Sequence, residues 1–140
     1  MSILTGCGSH HRTPARAERL APPVIKEAFT PLGCPATRAA RQTTVGLEGC
    51  AEEKILGLDV ALNKRAKSIF SLLRDRTAKS RFVSAERAWR SYRKRACTSA
   101  ADVYRGGTLE PVAFATCLVA HNRTHLTELS AFDRLLRQTG

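Results

Sequence analysis

His121 and His125, in the run HNRTH (121–125), come closest to a metal-ligating set, with Glu128 a further turn on. Imidazoles at i and i+4 share one helix face, and a carboxylate at i+7 could complete three ligands to zinc. The metalloprotease form needs a glutamate directly after the first histidine as general base, and Asn122 stands there instead. The pair therefore reads as two surface or half-buried imidazoles beside a helix, and no metal is assigned. His10 and His11 lie far from this run and support nothing by themselves. No serine lies in a G-x-S-x-G turn and no phosphate loop is found. Asp75, Glu86 and Asp102 are scattered singly, so none forms a pair to share acid and base work. The residues argue against an enzyme, and they imply no cofactor.

The cysteines carry more information. There are five, Cys7, Cys34, Cys50, Cys97 and Cys117, and none is spaced as a CxxC zinc or redox pair. Leu4 to Cys7 reads LTGC, the form of a bacterial lipobox in which the cysteine carries lipid. A working export signal has a basic region and then an apolar stretch of roughly 7 to 15 residues before cleavage. Only six residues, none basic, precede Cys7, so either the true start lies upstream or the match is chance. With Cys7 set aside, an even four remain, able to close two disulfides in an oxidising, extracytoplasmic compartment.

These residues must be positioned by something. Residues 1–33 read as the lipobox region and a flexible tether, because Pro14, Pro22, Pro23 and Pro31 sit among Ser, Thr, Arg and Gly with no helical period. Residues 34–140 read as one folded domain. Leu47, Ala51, Ile55, Leu58, Leu62, Ala66, Ile69 and Leu73 recur at steps of three and four, which gathers apolar side chains on one helix face. A second stripe runs through Phe82, Ala85, Trp89, Tyr92, Ala96 and Val103, and a third through Phe114, Leu118, Leu126, Leu129, Phe132 and Leu136. Between them RGGTLEP (105–111) supplies glycines to stop one helix and Pro111 to start the next. No run alternates with strand period. The expected fold is all-α, an antiparallel three-helix hairpin stack with a short preceding helix, stapled by disulfides.

Spacing constrains the staples. On one unbroken helix Cys34 and Cys50 would stand about 24 Å apart, whereas a disulfide needs Cα atoms within about 7 Å. The chain must turn back, and Val45-Gly46 is the expected turn. Cys97 and Cys117 flank the glycine-rich connection. Cys34 with Cys50 and Cys97 with Cys117 is the favoured pairing, and the other two connectivities remain open on sequence alone.

Taken together, LEGCAEEKILGLDVALN (47–63), AERAWRSYRKRAC (85–97), GGT (106–108), ATC (115–117) and NRTHL (122–126) resemble the LprI-type lysozyme-inhibitor N-terminal domain. The resemblance covers residues 34 to about 130. Glu86 stands where that family usually has Gln, Thr108 where it has Ser, and the spacing from Cys34 to Cys50 is long. The resemblance implies export, often as a lipoprotein through a cysteine such as Cys7, and a lysozyme-type muramidase as protein partner.

Within the repeat pattern Asp59 and Asn63 flank Leu62 on or beside the buried stripe, and Arg93, four residues after Trp89, is the natural donor to them. We read the three as a structural polar cluster that fixes helix register. Trp89 and Tyr92 read as core, since both lie in the apolar stripe. Net charge is +11 and uneven: Lys64 to Cys97 holds twelve Lys and Arg against two acids, while Glu48, Glu52 and Glu53 crowd the first long helix with Lys54 opposing. A strongly basic lysozyme would be repelled by a uniformly basic inhibitor. Candidate partner contacts are therefore the acidic Glu48, Glu52 and Glu53, or basic side chains such as Arg87, Arg90 and Lys94 entering a carboxylate-lined cleft. Two functions compete. One is a lipid-anchored envelope protein that binds a muramidase without chemistry of its own. The other is a basic module that docks on anionic lipid or wall polymer, with nucleic acid ranked low because few aromatics interleave with the arginines.

Overall fold

A computed structural model describes residues 19–140. Among them the elements are α1 (Arg38–Arg41), α2 (Thr44–Leu72), α3 (Arg76–Ala101) and α4 (Glu110–Thr139), with a single 3-10 turn at Asp102–Tyr104 and no strand. The all-α, three-helix reading with a short helix in front is what the chain adopts. Local chemistry sets the boundaries. Thr43 caps α2 by accepting the Gly46 N–H at 3.0 Å, and Asp75 caps α3 by accepting the Ala78 N–H at 2.8 Å. Pro111 sits in the first turn of α4, where its missing N–H costs nothing. Gly106 takes the left-handed conformation, φ 79°, in the connection between α3 and α4.

Helix α4 packs against both α2 and α3. At one end the start of α2, the end of α3 and the start of α4 meet around Ala51, Ile55, Cys97, Ala115, Leu118 and Val119, with Phe29 against them. At the other end Leu62, Ala66, Ile69, Phe82 and Leu129 form a second core, edged by Trp89 and Phe132. The disulfides are Cys34–Cys50 and Cys97–Cys117, with Cα atoms 4.1 and 5.4 Å apart, and both belong to the first end. No described helix is long and apolar enough to cross a membrane.

Three expectations are corrected. The turn that returns Cys50 to Cys34 falls at Gln42–Thr43, because the Thr43 cap starts α2 ahead of Val45-Gly46. Residues 19–33, expected within the tether, lie extended along the bundle as a strap. Prolines forbid a helix there, but the strap's peptide groups find side-chain partners: Asn63 accepts from Ile25 N at 2.7 Å and donates to Ile25 O at 2.9 Å, and Arg90 donates to Val24 O at 2.6 Å. Tyr92 is 61% exposed, not core: its ring lies at the rim of the α3–α4 contact, edge-on to His121, while Trp89 is half-buried.

Candidate functional site

The buried face of α4 runs through Ala115, Leu118, Asn122, His125, Leu129 and Asp133, so a stripe at helical spacing carries three polar residues into the interior. Each meets charge from another helix. Asn122 donates to Asp59 Oδ1 of α2 at 2.9 Å and accepts from Arg93 Nη1 of α3 at 2.6 Å. Arg93 also donates to Glu27 of the strap at 2.6 Å, lies 3.6 Å from Asp59, and has its guanidinium 5.2 Å from the centre of the Trp89 ring. Burial first, and then the charge of Glu27, push the Asp59 carboxyl up to about 6, against the opposing pull of Arg93 and Asn122. Asp59 Oδ2 and Arg93 Nε have no hydrogen-bond partner.

The predicted polar cluster is thus regrouped. Asp59 and Arg93 come together as read, but Asn63 is spent on the Ile25 backbone and Asn122 bridges in its place. Sequence reading missed Glu27 because it lay in an assumed tether. Asn122 follows Leu118 at the required step of four, but a polar residue in an apolar stripe gives no sequence sign that it turns inward.

His125 stacks on Trp89 with ring centres 3.8 Å apart and planes 14° from parallel. Its Nε2 lies 3.0 Å from both Glu86 oxygens and its Nδ1 3.1 Å from Glu128. Burial pulls the imidazole down, but the hydrogen bonds and charges of Glu86 and Glu128 outweigh it, and the net shift is upward. Glu86, read as an isolated acid, is buried and paired. His121 points elsewhere, edge-on to Tyr92 at 5.6 Å between centroids and close to the Cys97 and Cys117 sulfurs, which are bonded to each other and offer no thiolate. Asp133, fully buried, accepts from Ser68, Arg65 and Arg137, and the Ser68 and Arg137 bonds hold its carboxyl below the usual range.

The acidic candidates are largely committed to the fold. Glu52 is buried and accepts the Leu32 N–H at 2.7 Å, while Glu53 accepts the Cys34 N–H at 2.9 Å. Glu48 stays half-exposed on α2, its carboxyl raised by partial burial and then by Glu52. Of the basic candidates, Arg87 and Lys94 are exposed on α3 and Arg90 is half-buried. Arg87 and Arg90 join Arg19 and Arg76 along a groove of about 600 Å³ between the strap and α3, whose lining among the described residues includes no carboxylate. Cys7 lies outside the described residues.

A small all-α domain, stapled twice at one end and locked by polar bridges through α4, is the class of protein this architecture defines. The family described as Lysozyme inhibitor LprI matches residues 34–129, and the chain belongs to it. No curated protein and no solved structure matches.

Proposed function

We propose that this chain binds a lysozyme-type muramidase and protects peptidoglycan without chemistry of its own, acting outside the cytoplasm in the bacterial cell envelope. The observation that carries the reading is the family match, which spans residues 34–129 and takes in both disulfides. Disulfides persist in oxidising compartments, which fits an exported protein. The LTGC run at residues 4–7 supports lipid attachment through Cys7. Turbidity loss of a peptidoglycan suspension treated with a basic c-type lysozyme, with and without the purified chain, tests the proposal. Inhibition near equimolar protein that persists at two salt concentrations is expected, and undiminished lysis at tenfold excess would overturn it.

The arginine groove favours a second reading, a module that docks on anionic lipid or wall polymer. Binding of that kind releases counterions and is screened by added salt, so it weakens steeply as salt rises. Strong retention on anionic liposomes, lost at high salt, with lysis unaffected, would select it.

A further inference from the structure

Six of the large apolar side chains exposed among the described residues crowd the stapled end of the bundle: Leu32, Val45, Leu47, Val103, Tyr104 and Leu109. Val103 is 79% exposed, the highest value among them. The charge of this end is also unlike the rest. Residues 29–55 and 97–119, which build it, hold five acids (Glu48, Glu52, Glu53, Asp102 and Glu110) and four bases (Arg38, Arg41, Lys54 and Arg105), in a chain of net charge +11. Arg105, moreover, is paired with Asp102 at 2.8 Å.

The connection between α3 and α4 is held in one shape. Gly107 N donates to Tyr104 O at 2.9 Å and Gly106 N to Glu110 Oε2 at 2.7 Å, above the Cys97–Cys117 disulfide. A surface ordered before it meets its partner loses little conformational freedom on binding. Tyr104 lies beside Val103 and Leu109, and tyrosine is among the residues enriched at interface hot spots.

We infer that this stapled, apolar, near-neutral end is the surface that docks on the muramidase. The inference rests on the function proposed above and adds the face and the orientation. A strongly basic lysozyme is repelled by the arginine-rich remainder of the chain, and like-charge repulsion leaves this end as the approach. The half-exposed carboxylate of Glu48 at its edge then meets a basic side chain, while Tyr104 and Val103 are buried at the centre of the contact.

The test is inhibition of a basic c-type lysozyme by three proteins: the unaltered chain, the double variant Val103→Ser with Tyr104→Ala, and a control with Val60→Ser and Leu135→Ser, also exposed but away from this end. Circular dichroism verifies that each is folded. The first variant is expected to need at least tenfold more protein for half-inhibition, and the control to stay within about twofold of the unaltered chain. A further variant, Glu48→Lys, is expected to slow association at low salt. If the unaltered chain inhibits but the first variant matches it, the docking face is wrong and the muramidase reading stands. If the unaltered chain does not inhibit, the muramidase reading fails and this inference falls with it.

Discussion

Asp59→Asn probes the buried polar core through its response to pH. In the unfolded chain this carboxyl titrates near 3.8, and in the folded one near 6, with burial and then Glu27 as the causes. Between those values the native state keeps a proton that the unfolded state has released. The contribution to stability is therefore full below the unfolded value and is lost as pH rises through 6, the reverse of an ordinary ion-paired aspartate. The interval between the two values, at about 1.4 kcal/mol per pH unit, sets the loss at about 3 kcal/mol. Asparagine keeps the shape and still accepts the Asn122 Nδ2 bond, but it has no charge to bury. Arg93 then balances Glu27 alone. Urea unfolding of both proteins at about pH 3 and pH 8 is the assay, and the difference between proteins cancels the titrating groups that do not interact with Asp59. From the lower to the higher pH, stability should shift in favour of the variant by about 3 kcal/mol. Curves that stay parallel to within about 0.5 kcal/mol would refute the account of Asp59.

The His125 and Glu86 pair carries the same sign. A raised imidazole stabilises most below its ordinary value of about 6.5 and loses that contribution as pH rises through its higher native value, so Glu86→Gln should flatten the fall in stability above pH ~6.5 measured by the same urea series. Two glycines of α2 give a contrast in backbone approach. A methyl group on Gly49 would run into the carbonyl of Gly33, whereas Gly57 faces open space. Gly49→Ala should destabilise by about 1–3 kcal/mol while Gly57→Ala stabilises by roughly 1 kcal/mol, both read from thermal melts.

The three long helices were legible because their apolar residues keep steps of three and four and their caps are written in the chain, Thr43 before α2 and Asp75 before α3. The strap was not. Lack of period and several prolines exclude a helix, but they are silent on whether a distant side chain such as Asn63, thirty-eight residues away, will satisfy an extended backbone. The same blindness applied to Glu52 and Glu53. As letters they looked like a free acidic patch, yet both are occupied by strap and Cys34 amides. Asp59 and Arg93 were found because they sit on or beside apolar stripes, while Asn122 and Asp133 were passed over because a polar residue inside a stripe carries no mark of its partner on another helix.

Those partners explain why so small a bundle buries so many charges. Apolar stripes tolerate sliding, since Leu against Ile is nearly as good one turn along. Three of the four buried carboxylates, Asp59, Glu86 and Asp133, each find their partner across an interface that α4 shares with α2 or α3, while Glu52 is held by the strap. Moving α4 by one turn, about 5.4 Å, would strand all three, and each unpaired buried polar group costs on the order of 1–3 kcal/mol or more. Register is thereby specified along the whole length of α4, with the Cys97–Cys117 bridge fixing its first turns to α3. The height of the α3–α4 connection relative to the start of α2 follows from that register. Tyr104 and Leu47 are presented at one end of the molecule because Asn122, His125 and Asp133 hold α4 where it is.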